Sequence, residues 1–364
     1  MRRLAIAAMG IVSLAQAQVV VPFASPLDRL MVFQEGRFVE VDARPPKRSF
    51  PMKGALLYQD ASGGLGYYTA ESGKTRWLVR EGVNDVQAVG DRAAWRLNDS
   101  LFVLRSGSAV RAATGVERFK VSDSLLVYVD SLKHELVVIH RNQRTAIATV
   151  EKGSLLPQWT QGGNTVTFYD RSQRKLSLFH HGKLRVLTED ADVGIAVNGM
   201  DIVGCWDDVR DEFMGLARTG EQRLSGLKPI DAKAGNGVLA FVDGTLKLKV
   251  WAGGEVVQLT DSMPAQFWVK DRVVLYLWGG KLMCWTSGKL IEVEPYVPEQ
   301  WAVKDDLLVY LDINRELRGI LAGERVRFGR EANVDGFQLV GDAVLYRSPT
   351  GFTTVVYRGR SYTF

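Results

Sequence analysis

A period of about 36 residues constrains this chain more than any other feature it contains. Two independent landmarks keep that period. The first is an aromatic closing a β-type run, at Phe23, Tyr58, Trp95, Tyr128, Phe168, Phe241, Tyr276, Tyr310 and Tyr346, with Gly204 in the sixth place. The second is a glycine before a mostly charged residue, from Gly36 and Gly73 through to Gly323 and Gly359, with Asn142 in the fourth unit. Glycine and Asn supply the positive φ that a two-residue hairpin turn requires. Chance apolar runs would not hold two landmarks in phase, so the chain reads as ten repeats of one supersecondary unit.

Each unit reads as four short strands, A to D, with tight A–B and C–D turns, a B–C hairpin and a longer D–A connection. Repeated four-stranded antiparallel sheets predict an all-β fold, a β-propeller. Unit 1 begins at Val19 with a B-type strand and lacks strand A, and unit 10 closes with strand D. Ten units allow one large ring or two five-bladed rings. No linker interrupts residues 18–364, which favours one continuous domain, and a seam near 195–235, in the least regular unit, is the alternative. Alternation along strand A places Phe119, Phe267, Trp301 and Phe337 on one face, as the expected inter-blade core.

The plainest unit is Leu156 to Asp190. Its Pro157-x-Trp159-Thr160-x-x-Gly163, Val166-x-Phe168-x-Asp170, Leu176-x-Leu178 and Leu187-Thr188 resemble the TolB-type propeller repeat. Gln161 and Gly162 stand where that family prefers Pro and Asp, and the other units keep mainly the hydrophobic positions. The resemblance implies a fold, not an activity, because propellers host many unrelated functions.

Residues 1–17 read as a signal peptide. Arg2 and Arg3 form the charged start, Leu4 to Leu14 the apolar run, and Ala15-Gln16-Ala17 the cleavage site. That run is too short to span a bilayer, and no later segment is long and apolar enough. No Cys follows the cleavage site, so no lipid anchor is expected there. The expected location is therefore the periplasm or the exterior of the cell. The formal charge of +5 falls to +3 once Arg2 and Arg3 are removed, too small and too dispersed for a nucleic-acid footprint. Cys205 and Cys284 fall in units 6 and 8, which are not neighbours, so two buried free thiols are expected rather than a disulfide.

Candidate sites lie where the repeat carries polar or aromatic residues into its loops. Two positions past the landmark aromatic stand Asp60, Asp130, Asp170, Asp243 and Asp312, with Ser25 and Ser348 in the end units. Such residues cap a turn through their own side-chain oxygens; a carboxylate rim for a ligand is the alternative. Counted the same way, units 6 and 8 carry Trp206 and Trp278. An indole there either stacks a sugar or apolar side chain or folds over its own blade. Asp207, Asp208, Asp211 and Glu212 follow Trp206, and Glu189, Asp190 and Asp192 precede it on the same end. Together they read as a solvated acidic rim, with Ca²⁺ binding opposed by Arg210 and by the lack of a calcium-loop spacing.

No nucleophile elbow, zinc-protease motif or phosphate loop occurs. His180 and His181 are adjacent on a predicted strand, where neighbours point to opposite faces, which argues against a shared metal. No cofactor or metal is expected. These observations predict an exported, non-enzymatic propeller that binds a protein, peptide or glycan through Trp206, Trp278 and the acidic loop. The alternative is a polysaccharide hydrolase or lyase with carboxylates converging near the channel.

Overall fold

The structure is a computed structural model describing residues 18–149, 158–171, 173–189, 196–218, 220–329 and 331–364. The expected signal peptide, Pro157, Asp190 and Asp192 lie outside the described residues. All regular structure among them is β, in ten antiparallel meanders. Blade 1 has three strands, Val20–Ala24, Leu30–Gln34 and Arg37–Asp42, and the other nine have four each, paired in chain order.

Ten apolar clusters, one per blade interface, hold the blades together and decide the ring count. They run from blades 1 and 2 (Val20, Val32, Leu56, Tyr58) round to blades 9 and 10 (Val309, Leu317, Phe337, Tyr346). The tenth joins blade 10 back to blade 1 through Val21, Phe33, Ala343, Val355 and Tyr357. The protein is therefore one ten-bladed ring, and the arrangement of two five-bladed rings is excluded. No strand is shared between the first and last blades. Aromatic side chains make the closure instead: Phe33 meets Tyr362 and Tyr357 at 5.0 and 5.9 Å between centroids, and Phe364 meets Phe23 and Phe38 at 5.4 and 5.3 Å.

Within a blade, the strand A aromatics lie opposite the strand B landmark. Phe119 faces Tyr128, Phe267 faces Tyr276, Trp301 faces Tyr310 and Phe337 faces Tyr346. Phe119, Phe267 and Phe337 are buried, as the alternation predicts. Burying a large aromatic contributes roughly 1.5–3 kcal/mol, repeated around the ring.

The C–D turns explain the glycine landmark. Glu35-Gly36, Ser106-Gly107, Arg141-Asn142, His181-Gly182, Ser287-Gly288, Ala322-Gly323 and Arg358-Gly359 each have positive φ at both residues. That is the conformation whose twist matches a two-residue hairpin.

The register of unit 6 differs from the sequence reading by one residue. Asp207 pairs with Glu212 as Asp130 pairs with Glu135 and Asp170 with Lys175. Cys205, not Gly204, therefore holds the landmark place. Trp206 holds the place of Val129, and Asp207 is the expected turn aspartate rather than a departure from it. Both cysteines are buried and free, and burial pushes each thiol up to about 12.

Candidate functional site

The meander puts the A–B and C–D turns at one end of the ring and the B–C and D–A loops at the other. At the A–B end, neighbouring blades are tied backbone to backbone. Lys53 N donates to Gly90 O at 2.7 Å, Met200 N to Gly235 O at 2.9 Å, and Asn236 N to Asp271 O at 2.6 Å. Such contact needs bare backbone. A Cβ on Gly162, Gly199 or Gly235 would overlap the carbonyl oxygen of the next blade's turn.

This end also brings charges of non-neighbouring blades within electrostatic reach of one another. Asp123 of blade 4 is exposed at a turn, and partial desolvation by the surrounding turns raises its carboxyl above the ordinary range. Lys304, Asp271 and Asp305, in blades 8 and 9, all lie close enough to act on it. Lys304 Nζ stands 3.6 Å from Asp271 Oδ2 and 3.3 Å from Asp305 Oδ1.

At the loop end, the capping role of the repeated aspartates is visible bond by bond. Asp130 Oδ1 accepts from Lys133 N, Asp312 Oδ1 from Asn314 N and Glu316 N, and Asp60 Oδ1 from Gly64 N. Ser25 and Ser348 accept from Arg29 N and Phe352 N in the same way. Asp243 Oδ1 accepts from Thr245 N and Lys247 N, while Lys249 pairs with its Oδ2 at 2.7 Å. Burial alone would raise the Asp243 carboxyl, but these donors outweigh it and hold the group down at about 2.

The residues singled out from the sequence separate here. Trp206 is buried among Ile202, Phe213, Phe241 and Trp251 between blades 6 and 7, so it offers no stacking face. Asp207 caps its own hairpin, accepting from Val209 N, Arg210 N and the Thr188 hydroxyl. Glu212 pairs with Arg223 at 3.1 Å. Asp211 is exposed at a positive-φ turn position. Asp208 is half-buried, and its Oδ2 has no hydrogen-bond partner among the described residues.

Trp278 lies two blades away and is 38% exposed. Its Nε1 donates to Ser262 Oγ at 3.3 Å. The indole lines a groove of about 580 Å³ with Met263, Ala265, Leu277, Gly279, Gly280 and Val297. The two tryptophans thus do not share a surface.

The individual strands hide a feature that only the ring reveals. Leu27, Leu132, Val209, Leu246, Ile313 and Phe352 are exposed in six different B–C hairpins. Leu227, Ile230, Met263 and Val297 are exposed in D–A loops of the same end. All but Leu132 fall in blades 6 to 10 and blade 1, a continuous arc with Trp278 inside it. At the opposite end no exposed large apolar side chain lies within an A–B or C–D turn among the described residues; Leu184, Val256, Leu290 and Leu321 are exposed on the strands that flank C–D turns. The arc residues stand at different positions within B–C hairpins and D–A loops, so no fixed spacing exposes the set.

The strand order and closed cluster series are matched by the sequence itself, since the 10-bladed beta propeller domain family covers residues 14–362. The chain belongs to that family. No curated protein matches the sequence. Solved structures similar to this ten-bladed propeller include a eukaryotic initiation factor, 10% identical over 86% of this chain and 96% of that one, with a TM-score of 0.47. BamB from Moraxella catarrhalis is 14% identical over 76% and 90%, with a TM-score of 0.33. The computationally designed Ika8 protein is 13% identical over 94% and 96%, with a TM-score of 0.36.

Proposed function

We propose that this ten-bladed propeller is an exported, non-enzymatic scaffold that docks a protein partner on the B–C and D–A loops of blades 6 to 10. The observation that carries this reading is the one-sided arc of exposed Leu, Ile, Val, Met, Trp and Phe side chains. Scattered surface apolar residues are ordinary, but a collection confined to one sector of one face marks an interaction surface. The arc is mostly aliphatic. Sugars need flat rings to stack on, and only Trp278 and Phe352 supply them, so an apolar protein or peptide surface fits better than a glycan. The secretion-type residues 1–17 support a partner met in the periplasm or outside the cell. The TolB-type pattern of Leu156–Asp190 agrees with a scaffold and adds no chemistry.

The test is affinity capture followed by quantification of partner binding. Trp278→Ala with Ile313→Ala should weaken binding at least tenfold while thermal stability stays near wild type. Wild-type binding by that double variant would remove the arc from the interface.

The hydrolase or lyase reading draws on Asp123, an exposed turn residue whose carboxyl is raised by partial desolvation, with two further acids in electrostatic reach. Lys304 engages both of those acids, which favours a structural cluster. Release of reducing ends from a polysaccharide panel, abolished in Asp123→Asn, would establish the enzyme instead.

A further inference from the structure

Three of the chain's four histidines lie by the C–D turns of two adjacent blades, His140 on blade 4 and His180 and His181 on blade 5, at the end opposite the apolar arc. His180 ends strand C of blade 5, Lys175–His180, and pairs with Lys183 across the turn. His181 is not a strand residue. It occupies the first central position of the hairpin turn with φ of 49°. The alternation that would send neighbouring side chains to opposite faces therefore does not apply, and the sequence expectation is corrected. The two imidazoles lie with centroids 4.0 Å apart. His140, on the adjacent blade, brings its ring beside Gly182.

Both imidazoles address one carboxylate oxygen on the neighbouring blade. Asp201 Oδ1, from the A–B turn of blade 6, is 3.4 Å from His180 Nε2 and 3.2 Å from His181 Nε2. One donor atom from each of the three residues lies within 4.8 Å of the others. Ligands about 2.0–2.1 Å from a tetrahedral Zn²⁺ stand roughly 3.3 Å from one another, a spacing the two His–Asp201 separations already have, while the imidazole nitrogens, within 4.8 Å of each other, need to close by no more than about 1.5 Å. A second layer holds the carboxylate: Asn164 Nδ2 donates to Asp201 Oδ1 at 2.6 Å, and Asp201 N donates to Asn164 Oδ1 at 2.7 Å. Such outer contacts orient ligands and raise affinity. Opposing charge is present, with Arg218 at 4.0 Å from Asp201 Oδ2 and Lys183 and Arg185 on the rim. Arg185 is itself paired with Glu221.

The location adds a second reason. The cluster between blades 5 and 6 is the smallest of the ten, with Leu176, Leu178, Val203, Cys205 and Leu216 as its buried members among the described residues. A cavity of about 400 Å³ opens beside the histidines at that interface. We propose that His180, His181 and Asp201 form a site for Zn²⁺ or a similar late transition-metal ion that staples blade 5 to blade 6. Imidazole with carboxylate suits these metals, whereas Ca²⁺ and Mg²⁺ prefer all-oxygen sites. The inference is independent of the docking surface, since it concerns the other end of the ring.

The experiment uses the full chain stripped with chelator. Calorimetric titration with Zn²⁺ should show one saturable equivalent with micromolar or tighter affinity, and Co²⁺ should give the visible absorption of tetrahedral coordination. Mg²⁺ and Ca²⁺ should not bind there. Asp201→Asn preserves the side-chain shape, and His181→Asn suits the positive φ. Each should weaken Zn²⁺ at least tenfold, and the Zn²⁺-induced rise in melting temperature seen for wild type should vanish. Asn164→Ala should weaken binding about tenfold. No saturable Zn²⁺ binding to wild type, or wild-type affinity in both Asp201→Asn and His181→Asn, would overturn the proposal.

Discussion

The two ends of the ring are built from the same repeat and do opposite things. At the A–B end, turns approach until backbone meets backbone, and glycines such as Gly199 leave room for the next blade's carbonyl. At the loop end the hairpins, those of blades 3 and 8 excepted, are capped internally by their own Asp or Ser, and the hairpins of blades 2 and 9 also accept backbone bonds from Val83 and from Asn333 and Val334. A self-capped hairpin can vary at its tip without disturbing the ring, and that is where the exposed apolar side chains collect. The difference teaches that the two ends rest on different main supports: blade-to-blade backbone bonds between close-packed turns at one end, side-chain caps within most hairpins at the other.

The contrast breaks most sharply at the two tryptophans. Trp206→Ala should cost about 4 kcal/mol, as for a fully packed large side chain, measured by denaturant unfolding. Next comes Gly199→Ala, where a Cβ must displace the Gly235 carbonyl; about 3 kcal/mol is expected, at the upper end for overpacking. Retention of wild-type stability there would mean the A–B end is not held by close backbone contact.

Asp243 tests the self-capping end. Its folded carboxyl is held at about 2, against an unfolded value of about 3.9. The stabilisation is complete above about pH 4 and is lost as pH falls through about 2, on the order of 2 kcal/mol. Asp243→Ala should remove that amount at neutral pH and flatten the acid limb of the stability profile. The smallest effect is expected at Trp278→Ala, within about 0.5–1 kcal/mol, because its side chain is partly exposed over the groove. A loss comparable to that of Trp206→Ala would turn Trp278 into a structural residue.

The blades were legible because their markers are local. A positive-φ glycine and an aromatic ending a strand each depend on a few neighbouring residues, so they repeat in the sequence wherever they repeat in space. Unit 6 misled because Cys205 holds the aromatic place while Gly204 sits beside it, shifting the register by one and making Trp206 look like a loop residue. Ring closure depends on Phe23, Phe33 and Phe38 meeting Tyr357, Tyr362 and Phe364 across almost the whole chain, a contact without local signal. Strand parity sends His180 and His181 to opposite faces, and it fails because His181 stands in a hairpin turn. The apolar arc has no signal in the sequence because its members stand at different positions in hairpins and D–A loops and come together only when ten blades close.

The docking surface is tested most directly by site-specific photo-crosslinking in the protein's native setting. A photoreactive residue at Ile313 would be compared with one at Ser62, in the polar loops of blade 2, and one at Ser287, on the opposite end. The predicted result is a partner adduct from Ile313 and none from Ser62 or Ser287. Adducts from Ser287, or equal yields from all three positions, would contradict the assignment of recognition to the loops of blades 6 to 10.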